Sequence, residues 1–242
     1  MLAATNIRKT LGDSLVLKDV DITVTPAQIA VLLGPSGSGK TTLLRALSCL
    51  EPPDSGTIAI DDQVFRFPWD ATNPFIGPWP RVTVVFQQLF LWPHLTLRQN
   101  IQLVMKSVRR LRSDAHLCEL IDLFDMGEFI DRYPNQASLG QRQRAALARA
   151  LVLKPAYILL DEVTSALDVE QVAVILSHLL ELRRQGIGIM LITHLLGFAR
   201  RAADRVFFLD DGTIASNGGP EILHSPSHPR LKKFVSVIEA AT

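Results

Sequence analysis

The chain has 242 residues, enough for a large core in one domain or one domain with a subdomain. It is 48% hydrophobic and 20% charged, which excludes a disordered chain. The 25 Lys and Arg against 24 Asp and Glu lack the basic excess usual in nucleic-acid binders, so no nucleic-acid partner is expected. No stretch reaches the roughly 20 apolar residues that span a bilayer; the longest candidate, residues 145–160, is broken by Arg149, Lys154 and Pro155. Arg8 and Lys9 precede no long apolar block, so no signal peptide is expected. The chain reads as soluble or peripheral. Its mean hydropathy of +0.21 leaves room for apolar surface covered by a partner, although core residues could account for most of it. Cys49 and Cys118 lack metal-ligand spacing and read as packed, reduced thiols.

The pattern opens β-rich, at residues 16–24 and 28–33. The apolar run Ile29-Ala30-Val31-Leu32-Leu33 suits a buried strand. Gly34 ends it, and residues 40–50 are helix formers. A Pro/Asp/Gly loop at 51–56 precedes short strands at 57–60 and 64–67 around a turn at Asp61-Asp62. Residues 68–80 hold four prolines and two tryptophans, which disfavours helix and strand alike. Residues 82–86 read as another buried strand. Thr96 and Gln99 make a capping-box pair before Leu97, Ile101, Val104, Met105 and Val108. Ser113 can cap a helix that carries Leu117, Leu120, Ile121 and Phe124 on one face. Ser138 and Gln141 open a third helix running through Ala150. Strand-like runs follow at 157–160, 187–193 and 206–209, and Asp168 starts a helix ending near Gly186 as its C′ glycine. The expectation is an α/β core interrupted by a helical insert, after an antiparallel β region.

Gly34-Pro35-Ser36-Gly37-Ser38-Gly39-Lys40-Thr41 fits G-x-x-x-x-G-K-[ST] between an apolar strand and a helix. Glycines let successive N–H groups turn inward toward phosphate oxygens, and the helix end adds its positive dipole. Lys40 then bridges the β- and γ-phosphates of a nucleotide; Thr41 holds Mg²⁺, with Thr42 beside it. Ile158-Leu159-Leu160-Asp161-Glu162 supplies the acidic partner at a strand's carboxyl end. Asp161 would hold Mg²⁺, and Glu162 would orient or deprotonate the attacking water.

Ser138-Leu139-Gly140-Gln141-Arg142-Gln143-Arg144 precedes that acidic strand, and Ser165-Ala166-Leu167-Asp168 follows it. Gln87 follows Val84-Val85-Phe86, and His194 ends Ile189-Met190-Leu191-Ile192-Thr193. In this order the motifs resemble those of the ABC ATPases over essentially the whole chain. The resemblance implies a P-loop NTPase (RecA-like) α/β core at residues 1–90 and 154–242 and a helical signature subdomain at 91–153. It makes Gln87 the Q-loop glutamine, a ligand of Mg²⁺ and water, and His194 the switch histidine at the γ-phosphate. Ser138, Gly140 and Gln141 become the signature motif and Asp168 the D-loop aspartate. It implies a head-to-tail homodimer in which each ATP lies between one chain's P-loop and the other's signature. Ser138 also has a plainer role open to it, capping its own helix.

Residues 85–96, 192–200 and the tail from Ala203 to Ile238 resemble the polar amino-acid importer branch. That branch implies integral-membrane permease partners, indirectly a solute-binding protein, and a place on the cytoplasmic face of the membrane. Phe90, Leu91 and Trp92 would then offer apolar surface to a permease, or else belong to the helical core. Four positions depart from the family's pattern. Leu11 stands where relatives stack adenine on an aromatic ring, so weaker discrimination of ATP from GTP is expected. Leu139 replaces a glycine, with Ala137 two residues before it where leucine is usual. Val163 replaces a proline, and residues 68–80 replace a more regular connection. An exporter or lipid-transport ATPase, a soluble ABC ATPase and a metabolic P-loop kinase are the alternatives. The kinase does not account for the signature, D-loop and switch motifs together.

Overall fold

A computed structural model describes residues 1–108, 114–164 and 169–241. Ser113 and Asp168, with the helix starts expected of them, lie outside the described residues.

Two sheets carry the fold. The first is antiparallel, in the order β2-β1-β4-β5, from β1 (Leu2–Leu11), β2 (Ser14–Val24), β4 (Ser55–Ile60) and β5 (Gln63–Phe67). The second has the order β10-β9-β3-β8-β7-β6, from β3 (Ile29–Leu33), β6 (Val82–Val85), β7 (Tyr157–Asp161), β8 (Gly188–Ile192), β9 (Arg205–Asp210) and β10 (Thr213–Gly218). Its strands run parallel except β10.

Strand alternation feeds two cores. Ile29, Val31 and Leu33 of β3 enter one cluster with Ile158, Leu160, Ile189 and Leu191. Ala30 and Leu32 enter the other with Leu159, Met190 and Ile192. Both faces are therefore apolar, which explains the unbroken hydrophobic runs. The second cluster also takes Leu43, Leu44 and Leu47 of α1 (Lys40–Leu47) and the inner face of the antiparallel sheet.

Between β6 and β7 the described chain is helical, with α2 (Leu97–Ser107), α3 (Ala115–Leu123) and α4 (Leu139–Leu151) joined by a 3₁₀ turn at Pro134–Gln136. The expected capping boxes form: Gln99 N donates to Thr96 Oγ1 at 3.2 Å while Thr96 N donates to Gln99 Oε1 at 2.9 Å. The helix α5 (Val169–Arg184) ends in a Schellman turn, with Gly186 N on the Arg183 carbonyl and Ile187 N on that of Leu182. Gly186 takes the left-handed conformation expected of a C′ glycine, at φ 94°. Two further helices complete the fold, α6 (Leu196–Ala202) and α7 (Pro229–Ala241).

Sequence reading missed β1, β10, α6 and α7. In β1 the inward residues are Leu2, Ala4 and then Ile7, because a bulge with Asn6 at φ 53° breaks the two-residue period. β10 is a mostly polar edge strand that gives each core a single apolar residue, Ile214 and Ala215, too few for a readable alternation. The cysteine expectation is half corrected: Cys49 is buried, but Cys118 is exposed on α3.

Candidate active site

The carboxyl ends of β3, β7 and β8 meet at one place, as parallel sheets arrange their ligand sites. At the end of β3, a Cβ on Gly34 would stand 2.1 Å from the Leu209 carbonyl oxygen, so only glycine lets the loop start there. Gly39 caps α1 at φ 104°, with Val16 and Leu17 of β2 against it. Lys40 is buried, and its Nζ donates to the Gly34 and Pro35 carbonyls at 2.9 Å each. Burial holds its ammonium below the usual lysine range, against the pull of Glu162 and Asp161. Ser38 Oγ is buried without a hydrogen-bond partner among the described residues. A loop with an unused buried hydroxyl and a lysine resting on its own carbonyls fits a phosphate.

Thr41 Oγ1 donates to Asp161 Oδ2 at 2.9 Å. Burial is the main reason the Asp161 carboxyl lies above its usual range; the Thr41 hydrogen bond opposes it. A hydroxyl and a carboxylate side by side, both hard oxygen donors, fit Mg²⁺. Gln87 lies just beyond β6, whose Val85 pairs with Leu160, and its side chain is exposed.

Strand register brings distant residues together. Asp161 pairs with Ile192, and Glu162 N donates to the Ile192 carbonyl at 3.0 Å. Glu162 therefore sits beside the end of β8, where its Oε1 meets His194 Nε2 at 2.5 Å. Its φ of 49° is unusual for a residue with a side chain, and such backbone recurs at functional positions.

The expected signature residues stand apart from this cluster. Ser138 is exposed at the N-cap of α4, accepting from Gln141 N at 3.2 Å, while its own N–H donates to Gln141 Oε1 at 2.9 Å. The plain capping role is thus real, and it leaves the exposed helix end open to a second one. A Cβ on Gly140 would lie 2.6 Å from Gln171 Oε1, so α5 packs against this turn. Leu139 is half-buried. Leu11, at the end of β1, is 45% exposed. Leu91 packs on the helical core, whereas Phe90 and Trp92 are exposed. Sequence reasoning passed over Val16 and Gln171. Val16 adjoins Gly39 only through the approach of β2, and no local pattern marks either residue.

Residues 17–165 match the family described as "ABC transporter". The glutamate transport ATP-binding protein GluA of Corynebacterium glutamicum is 39% identical, covering 99% of this chain and all of that protein. The arginine transport ATP-binding protein ArtM of Bacillus subtilis is also 39% identical, covering 98% of this chain and all of its own length. The glutamine transport ATP-binding protein GlnQ of Escherichia coli is 36% identical, covering 97% of this chain and 98% of its own. Among solved structures, the dimeric post-hydrolysis state of the ATP-binding cassette MJ0796, bound to ADP and Pi, superposes with a TM-score of 0.77 at 30% identity. It covers 91% of this chain and 99% of that one.

Proposed function

The chain belongs to the ABC transporter family, and on that premise we propose that it is the ATP-binding subunit of an importer, driving amino-acid uptake through partner permeases. It is an ATPase. The observation that carries the mechanism is the convergence of Lys40, Thr41, Asp161, Glu162 and His194 at three adjacent strand ends. The naming of similar proteins for glutamate, arginine and glutamine transport supports amino acids as the cargo class.

In this proposal the loop from Gly34 to Thr42 holds the triphosphate through its N–H groups, and Lys40 leaves its loop carbonyls to pair with phosphate. Thr41, Asp161 and Gln87 would hold Mg²⁺, which supplies charge neutralisation on the phosphoryl oxygens. Glu162 takes the proton of the attacking water, and His194 keeps its carboxylate aimed before reaching the γ-phosphate itself. Leu11 gives the base an apolar rather than a stacking contact. Ser138, the Gly140 N–H and Gln141 approach the nucleotide of the partner subunit across a homodimer; Asp168 is assigned to the same interface. The helical segment 91–153 acts as the subdomain that carries this signature. The assembly rests on the cytoplasmic face of the membrane, with a solute-binding protein delivering cargo to the permeases.

No helix among the described residues is long and apolar enough to cross a membrane, which suits a subunit working beneath separate permeases. The test has two parts. Purified chain should turn over Mg-ATP, and tagged chain co-expressed with candidate amino-acid permease subunits should retain them and show amino-acid-stimulated turnover in proteoliposomes. Failure to bind Mg-ATP at millimolar concentration defeats the site assignment; stimulation by another solute class defeats the cargo.

A further inference from the structure

The turn between β9 and β10 carries none of the proposed catalytic residues, yet it touches the phosphate loop. Asp211 and Gly212 join the paired residues Asp210 and Thr213, with φ of 46° and 76°. Two left-handed residues in a two-residue hairpin are the mark of a type I′ turn, which holds its N–H groups in set directions. The turn is wedged between two neighbours. On one side a Cβ on Gly212 would stand 2.3 Å from the Val16 carbonyl oxygen of β2. The Gly212 carbonyl accepts from Lys18 N at 2.8 Å, and Lys18 Nζ donates to Asp211 Oδ2 at 2.8 Å. On the other side Gly212 N donates to the Ser38 carbonyl at 3.2 Å.

That last bond bears on the shape of the phosphate loop. In a trans peptide the carbonyl and the following N–H point in opposite directions. Holding the Ser38 carbonyl on Gly212 therefore aims the Gly39 N–H away from the turn. Glycine at φ 104° offers little steric resistance to a flip of this peptide plane, so the orientation depends on the bond from outside. The turn is itself held from behind. Arg230 of α7 donates to Asp210 through Nε at 2.7 Å and through Nη2 at 2.9 Å. This forked pair keeps the Asp210 carboxyl below its usual range. The same two residues line a groove of about 200 Å³ together with Pro35 of the loop and Lys233 and Phe234 of α7. Where side chains leave that gap beside the loop, the ion pair ties the helix to the turn.

We propose that Arg230 is a positioning residue for nucleotide binding: through Asp210 it steadies the β9–β10 turn, so that Gly212 keeps the Gly39 amide aimed at the phosphates. The inference rests on the phosphate-cradle reading above and adds the element that keeps the cradle in shape before nucleotide arrives. Donors already aimed need no rearrangement when the anion binds. With the turn loosened, the peptide between Ser38 and Gly39 can rotate, and binding must first restore it.

The test is a titration of the isolated chain with Mg-ATP, beside its melting temperature without nucleotide, for the parent, Arg230→Glu, Arg230→Gln and Arg230→Lys. Arg98→Glu is the matched control, since Arg98 makes the same forked pair with Asp131, at 2.7 and 3.0 Å, in the helical segment. Arg230→Glu should raise the dissociation constant about tenfold, the lower end of what one hydrogen bond to a charged group supplies. Arg230→Gln should shift it in the same direction by a smaller factor. Arg230→Lys keeps the charge and should bind within about twofold of the parent. The melting temperatures of Arg230→Glu and Arg98→Glu should match, because exposed ion pairs contribute little stability. Arg98→Glu should bind Mg-ATP like the parent. An unchanged dissociation constant in both Arg230→Glu and Arg230→Gln overturns the inference and leaves the nucleotide reading standing. So does an equal loss of affinity in Arg98→Glu, which would make the effect one of general destabilisation. A parent chain that binds no Mg-ATP removes both.

Discussion

The phosphate cradle and the signature turn differ most in what surrounds them. Lys40 and Asp161 are buried, and Thr41, Asp161, Glu162 and His194 are already joined by hydrogen bonds in one chain. Ser138 is exposed, and its side chain is engaged within its own capping box. The first region is assembled by strand register; the second is a finished helix end facing outward. A single chain therefore brings the first group together by itself and leaves the proposed signature turn at the surface. Such an asymmetry suits a site shared between two copies. It also means that the two regions should fail differently when altered.

The largest effect is expected at Glu162. Glu162→Gln removes the proposed base but keeps the shape, so turnover should fall by roughly 10²–10⁴ while ATP binding persists. Single-turnover hydrolysis beside a nucleotide-binding titration reads both quantities. Turnover at the parent rate would assign the proton to another group.

Ser138 offers the sharper cut through the comparison, because two substitutions separate its two roles. Ser138→Ala should cost about 1 kcal/mol of stability through the lost cap. Ser138→Asp keeps a good cap and with it the melting temperature, but in the proposed dimer it sets a carboxylate against the phosphate of the partner subunit. Its turnover should drop by about 10²-fold, a loss of the size seen when one transition-state donor is removed. If Ser138→Asp hydrolyses ATP like the parent, the serine is a cap and nothing more.

If Leu11 faces the base as proposed, Leu11→Tyr should strengthen ATP binding by about tenfold, the lower part of the roughly 1–3 kcal/mol that base stacking supplies. Its preference over GTP should widen in competition titrations. An unchanged affinity would place the base away from Leu11.

The legibility of the molecule follows the same divide between local and register-made features. The P-loop, the acidic strand end and both capping boxes are runs of neighbours in sequence, and they were readable as such. The buried strands were readable because parallel strands covered on both faces need unbroken apolar runs. The bond between Glu162 and His194 was not, since it depends on Asp161 pairing with Ile192, a register no local pattern encodes. The bulge at Asn6 concealed β1 by displacing its alternation, and the mostly polar β10 offered too little to find. Residues 68–80 were recognisable as irregular, but their aromatic footing on Phe65 and Phe67 appears only once β5 is in place.

The smallest effect expected is one of stability, at the centre of the preassembled region. Burial raises the folded-state pKa of Asp161 above its value in the unfolded chain. The folded chain then binds more protons than the unfolded chain between those two pKa values. Stability is consequently highest below the unfolded value and declines as pH rises through the folded one. Where the pH exceeds the folded value the nucleotide-free chain therefore holds a desolvated carboxylate, and there Asp161→Asn should raise its stability, seen as a higher melting temperature. Added Mg-ATP should reverse the order, because a ligand that binds only the folded state stabilises the parent in proportion to its affinity. A variant less stable than the parent without nucleotide would mean that the Thr41 hydrogen bond, rather than desolvation, governs this carboxylate.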